Sequence, residues 1–149
     1  MKLRLYLDTS VFSARIDDRA PDRRALTEDF WQALPAYEPA TSELAVEELR
    51  QTADPQLRVR METMLVGFCL IPVTAEMRNL ADQYILAGAF TRTMLNDAVH
   101  VAAATLSRQD ILVSWNFKHL VNRRRRATVA SVNAREGLPL LDILSPPEL

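Results

Sequence analysis

Asp8, Asp97, a glutamate at 47 or 48 and Asn116 are the residues of this 149-residue chain with the means to do chemistry together. Asp8 follows Leu3, Leu5 and Leu7, which alternate with Arg4 and Tyr6 in the period of two of a β-strand. In open α/β sheets ligands sit beyond the carboxyl ends of the strands, so an acid in that place is aimed at a site. Asp97 opens a helical pattern in which Asp97, Val101 and Ala104 share one side. Glu47 and Glu48 flank a helix face formed by Leu44, Ala45 and Leu49. Successive helical residues are about 100° apart, so only one of the two can face inward. Asn116 closes the triplet Ser114-Trp115-Asn116 after the apolar run Ile111-Leu112-Val113. Carboxylates gathered in one cleft repel each other. A hard divalent cation such as Mg²⁺ or Mn²⁺, which prefers carboxylate and water oxygens, removes that repulsion. Such a centre polarises a phosphoryl oxygen and acidifies water, the chemistry of phosphodiester hydrolysis.

Taken singly, each residue also has an ordinary explanation. Asp97 in a first helical turn is favoured by the helix dipole by ~0.3–1 kcal/mol. Asp8 and Asn116 are turn formers, and paired glutamates commonly edge a solvated helix. His100, three residues after Asp97, suits a local hydrogen bond better than a metal, and Trp115 beside a strand end suits the core. The joint pattern is what points to a site.

The elements that must position these side chains alternate. After the first strand, Val11-Phe12-Ser13 reads as a short link, and Pro21 marks a helix start for a loose apolar pattern running to Pro35. Tyr37 to Ala40 is extended. Thr41 or Ser42 caps a helix that Asp54-Pro55 breaks, and a second helix covers Gln56 to Val66. Gly67 to Val73 reads as a buried strand. Thr74 caps a helix with Met77, Leu80, Ala81, Tyr84 and Ile85 on one face, stopped by Gly88. Asn96 starts the next helix, with a buried stripe of Leu95, Ala98, Val99, Ala102 and Leu106. After Ile111 to Val113 comes a basic helix carrying Lys118 and Arg123 to Arg126; Gly137 ends it, and Leu138 to Ile143 is the last strand. This alternation predicts one α/β domain over residues 1–149: a three-layer α/β/α sandwich with a mainly parallel central sheet. If the strands ending in Asp8 and Ser114 are parallel neighbours, both polar triplets lie at one sheet edge.

Composition narrows the function. A net charge of −1 and a pI near 6.1 exclude a global basic field, so polyanions would have to be met by local patches. The single cysteine, Cys69, forbids an intrachain disulfide, and no apolar run is long enough to span a membrane. Together with the lack of a signal-like start, this predicts a soluble, cytoplasmic protein. The run Arg123-Arg124-Arg125-Arg126 is either a solvated face or, with Lys118 and His119, a landing strip for phosphates. A helix can turn only about two of four consecutive residues to one ligand.

These residues resemble the motifs of PIN-domain nucleases, a family that includes the VapC-type toxins. Leu7-Asp8-Thr9-Ser10-Val11 is similar to the family's opening motif, and Ser42 to Leu49 to its second, which places the acid on Glu48 with Glu47 as the fallback. Asn96 to Ala104 matches the third, with Asp97 as its acid, and Leu112 to His119 the fourth. Many relatives carry an aspartate in the fourth motif where this chain has Asn116. An amide supplies no fourth negative charge, though its oxygen can still bind a metal or water. The resemblance implies an Mg²⁺- or Mn²⁺-dependent endoribonuclease in which Asp8, Glu48 and Asp97 hold the cation and water attacks the scissile phosphate. Thr9, Ser10, Ser114 and Asn116 would orient carboxylates or water, and Lys118, His119, Arg123 and Arg124 would bind RNA. It implies an antitoxin protein as partner and a homodimer formed through the helices between Gln56 and Gly88. The competing expectation, which Asn116 favours, is a catalytically silent PIN-fold module that binds RNA or protein. A phospho-receiver domain or a haloacid-type phosphatase would want a second acid near the first strand or an Asp after a central one, and neither is present.

Overall fold

In the computed structural model, which describes all residues 1–149, strands and helices alternate as the spacing predicts. Strand β1 (Arg4–Leu7) leads into α1 (Thr9–Arg15) and α2 (Pro21–Ala33). Then follow β2 (Glu38–Ser42), α3 (Glu43–Arg50), α4 (Pro55–Thr63), β3 (Cys69–Ile71), α5 (Ala75–Leu86) and α6 (Leu95–Leu106). The chain ends with β4 (Ile111–Val113), α7 (Arg123–Arg135) and β5 (Asp142–Leu144). The five strands form one sheet in the order β3-β2-β1-β4-β5, and every pairing is parallel. The chain runs from β1 outward to β3 and then crosses back to lay β4 on the other side of β1. That reversal at β1 and β4 is a topological switch point, where open α/β sheets place their ligands.

Both faces of the sheet are covered, so its alternating side chains feed two cores. Leu5, Leu7, Ile111 and Val113 pack with Phe12, Phe30, Leu49 and Met61 on one side. Tyr6, Ala40, Ile71, Leu112 and Ile143 pack with α5, α6 and α7 on the other. The alternation of leucine with Tyr6 thus marks two apolar faces rather than one buried and one wet.

Several local expectations are corrected. Val11-Phe12-Ser13 is not a link but the middle of α1, because Asp8 caps a helix there and both Val11 and Phe12 are buried. The strand expected over Gly67 to Val73 shrinks to Cys69–Ile71 at the sheet edge; with one neighbour only, it leaves Cys69 and Leu70 exposed. Helix α6 begins at Leu95 rather than at Asn96, out of a 3-10 turn over Arg92–Met94. It is buried all round from Ala98 to Thr105 rather than along a stripe, and Leu95 is exposed. This follows from its position, sandwiched between the sheet and its neighbours, where small residues such as Ala102, Ala103 and Ala104 permit close approach. The basic helix starts at Arg123, capped by Asn122, so Lys118 and His119 belong to the preceding turn. Gly88 and Gly137 take the positive φ that ends α5 and α7. No helix is long and apolar enough to cross a membrane.

Candidate active site

The register pairs Leu7 with Val113, so Asp8 and Ser114 leave adjacent parallel strands at the same edge. Asp8 is almost fully buried, at 4% exposure. Its Oδ1 accepts from the Ser10 backbone N–H at 3.1 Å and the Ser10 hydroxyl at 2.5 Å; its Oδ2 accepts from the Ser114 hydroxyl at 2.7 Å. The first pair is the N-cap of α1. Ser10 in turn accepts from the Trp115 N–H at 2.9 Å, and Ser114 from the Asn116 N–H at 2.9 Å. Asn116 Oδ1 accepts from the His119 N–H at 2.9 Å, and His119 Nδ1 donates to Asp97 Oδ2 at 2.8 Å. An unbroken path of hydrogen bonds and short backbone links therefore joins Asp8 to Asp97 through the turn after β4.

Glu48 enters from the other flank. Ser42 caps α3, which turns Glu48 inward and leaves Glu47 exposed. Glu48 Oε1 accepts from the Thr9 hydroxyl at 2.7 Å and from His100 Nε2 at 2.6 Å. The other nitrogen, His100 Nδ1, lies 2.6 Å from the Tyr6 hydroxyl, which is 2.7 Å from the Ser42 hydroxyl. Tyr6 and Ser42 were not legible as part of the site. The only hints were a tyrosine among strand leucines and a serine that doubles as a helix cap.

The charges at this edge feel one another. Burial raises the pKa of Asp8, and the Asp97 charge adds to the rise, against the opposing pull of His100 and the two serine hydroxyls. Burial also acts to raise Glu48, but the His100 and Thr9 hydrogen bonds and the His100 charge outweigh it and hold Glu48 below the usual carboxylate range. Burial opposes charge on His100, yet Glu48 against its Nε2 raises its pKa overall. Burial lifts the Tyr6 hydroxyl far above the ordinary tyrosine range, so it stays neutral.

The three acids share a neighbourhood but not a closed cage. No three His, Cys, Asp or Glu side chains come together as a ready-made metal-binding group. Neither aspartate is paired with a lysine or arginine; the only ionisable partner of Asp97 is His119, and Asp8 has only hydroxyls and a backbone N–H. This donor set fits a cation that keeps much of its water. Mg²⁺ is commonly held by one or two carboxylates plus waters and substrate oxygens, without an all-protein cage. The unpaired desolvation of Asp8 is the cost that such a charge would relieve.

The basic residues divide. Arg125 donates to the Ala89 and Lys118 carbonyls at 2.7 and 3.3 Å, and Arg126 to the Ile143 carbonyl at 2.9 Å. Those two tie α7 to the body. Lys118, Arg123 and Arg124 are exposed and make no ion pair, whereas His119 is tied to Asp97. Trp115 is buried, with its Nε1 donating to Thr27 at 2.8 Å. Arg23 and Phe117, beside it, were not singled out by spacing.

No protein-family model and no curated sequence matches this chain. Its likeness is to solved structures, and its α/β fold is the one found in VapC toxins. VapC20 of Mycobacterium tuberculosis, a sarcin-ricin loop cleaving toxin, superposes with a TM-score of 0.62 at 15% identity, covering 77% of this chain and 92% of that one. VapBC-1 from nontypeable Haemophilus influenzae gives 0.60 at 15% identity over 97% and 99% of the two chains. A toxin–antitoxin complex from Klebsiella pneumoniae gives 0.58 at 19% identity over 81% and 93%. These similarities establish the fold.

Proposed function

We propose that this chain is a divalent-metal-dependent endoribonuclease acting as the toxin of a toxin–antitoxin pair. The observation that carries the reading is the buried Asp8, linked through Ser114, Asn116 and His119 to Asp97 at the switch point, with no lysine or arginine neutralising either acid. Structural neighbours that include an RNA-loop-cleaving toxin and a toxin–antitoxin complex support it.

Asp8 and Asp97 would hold Mg²⁺ or Mn²⁺, with Glu48, fixed by Thr9 and His100, as the third acid of the site. When bound, the ion polarises a phosphoryl oxygen and acidifies water at the scissile phosphate. Ser10 and Ser114 fix the Asp8 carboxylate by donating to both its oxygens. His119 holds Asp97 by Nδ1 and leaves its other nitrogen for the substrate. His100 and Thr9 fix Glu48, which can accept a proton or orient a water. Lys118, Arg123 and Arg124 supply phosphate contacts, and an antitoxin would cover the acidic cleft.

The test is cleavage of labelled RNA by the purified protein in Mg²⁺ or Mn²⁺ against EDTA. Metal-dependent cleavage by the wild type, lost in Asp97→Asn, is expected. Cleavage that survives in highly purified Asp97→Asn contradicts the assignment. Asn116, which supplies no fourth negative charge, favours one second reading, a silent RNA- or protein-binding module. It predicts RNA or protein binding with no cleavage and no calorimetric signal for Mn²⁺.

A further inference from the structure

We propose that the groove between α1, the start of α2 and the turn after β4 is a nucleobase subsite, which stacks a base of single-stranded RNA on Phe117 beside the scissile phosphate. The identity of the ligand rests on the ribonuclease reading; the groove itself does not. Its volume is about 520 Å³, and its floor includes Ser10 and Asn116, the residues hydrogen-bonded to Asp8 and Ser114. It therefore adjoins the residues that hold the Asp8 carboxylate.

Phe117 is 47% exposed, unusual for so large an aromatic. It stands edge-on to Trp115, at 6.0 Å between ring centroids and 67° between planes. Trp115 is itself anchored by its bond to Thr27. The Arg23 guanidinium lies 4.9 Å from the Trp115 centroid and 5.9 Å from that of Phe117. Lys118, also lining the groove, has no acidic partner, while the one carboxylate there, Asp17, is paired with Arg19 at 2.9 Å. A preset aromatic face flanked by two cations matches a nucleotide: the ring meets the π-face of the base, and Arg23 and Lys118 meet the phosphates on either side. An apolar peptide would leave both cations unused, and an acidic peptide would meet the cations but bring no planar base to the Phe117 ring. Stacking accepts any base, so the subsite positions the chain more than it reads sequence.

The test measures binding in EDTA, where cleavage is blocked, with single-stranded RNA oligomers carrying 2-aminopurine at successive positions. Wild-type protein should quench the fluorescence at one position. Phe117→Ala should weaken binding about tenfold and abolish the quenching. Phe117→Leu, which keeps apolar bulk without a π-face, should also lose quenching, and Phe117→Trp should retain it. RNA lacking the base at that position should bind wild type and Phe117→Ala alike. The proposal is overturned if no position is quenched, if Phe117→Ala binds like wild type, or if its loss is the same on base-free RNA. It is also overturned if Phe117→Ala spares RNA and instead loses a protein partner. A wild type that quenches but cleaves nothing in Mg²⁺ or Mn²⁺ removes the ribonuclease reading and leaves the subsite. Cleavage with the same KM in wild type and Phe117→Ala removes the subsite alone.

Discussion

The two flanks of the acidic cleft solve the burial of charge in different ways. On the α3 flank, Glu48 meets His100, His100 meets Tyr6, and Tyr6 meets Ser42, so charge is balanced inside the protein. On the β4 flank, Asp8 and Asp97 are bridged through Ser114, Asn116 and His119, and no lysine or arginine balances them. The first arrangement fixes Glu48 in a network whose charge is balanced from within. The second holds two carboxylates in place while leaving their charge to be met from outside. That difference is why the cation is assigned to the aspartates rather than to a symmetric cage of three acids.

The largest expected effect breaks the open flank. Asp8→Asn or Asp97→Asn should reduce RNA cleavage to background while circular dichroism shows an unchanged fold. The same variants should lose the rise in Tm that Mn²⁺ produces in the wild type by binding only the folded state. Next comes the bridge: Ser114→Ala removes the donor to Asp8 Oδ2 and should lower Mn²⁺ affinity or cleavage by roughly 10–100-fold, read by calorimetry and initial rates.

Breaking the α3 flank should act on stability as well as on cleavage, because His100 holds Glu48 in place. His100→Ala strands Glu48 and Tyr6 and should destabilise the fold by roughly 2 kcal/mol in urea unfolding, a value reduced from that of a fully buried pair because Glu48 is partly exposed. The pH dependence has a definite sign. The folded pKa of His100 is raised, so its contribution is full below the ordinary histidine value and is lost as pH rises through the raised one. In EDTA, the stability difference between wild type and His100→Ala should therefore shrink with rising pH; a difference that grows would contradict the pairing. The smallest effect lies on the surface. Arg124→Gln should leave the Tm unchanged and lower the salt slope of RNA binding by about one.

The division between the flanks also explains what the sequence could reveal. Strand periodicity and the N-cap Thr74 were readable because they act locally, and Ser42 was one of two cap candidates; Asp54-Pro55, read as the break that ends α3, instead caps and opens α4, and α3 stops at Arg50. The fold class followed from the alternation of strands and helices. The place of α1 was not readable, since Val11 and Phe12 are apolar for a core assembled from distant elements. Nor was β3 readable as an edge, because edge status depends on strand order. Of the cleft, the residues at strand ends and helix starts could be named from position. Glu48 over Glu47 was left open by helix spacing and picked out only by the motif resemblance, and the Tyr6–His100–Glu48 network needed three separate elements to meet. Arg23 and Phe117 were invisible for the same reason: one begins a helix, the other lies in a turn, and only the tertiary fold stacks them.

Anomalous scattering from an Mn²⁺-soaked crystal tests the central assignment most directly. A single peak within bonding distance of both the Asp8 and Asp97 carboxylates is predicted. A peak elsewhere, or none at millimolar Mn²⁺, would contradict it.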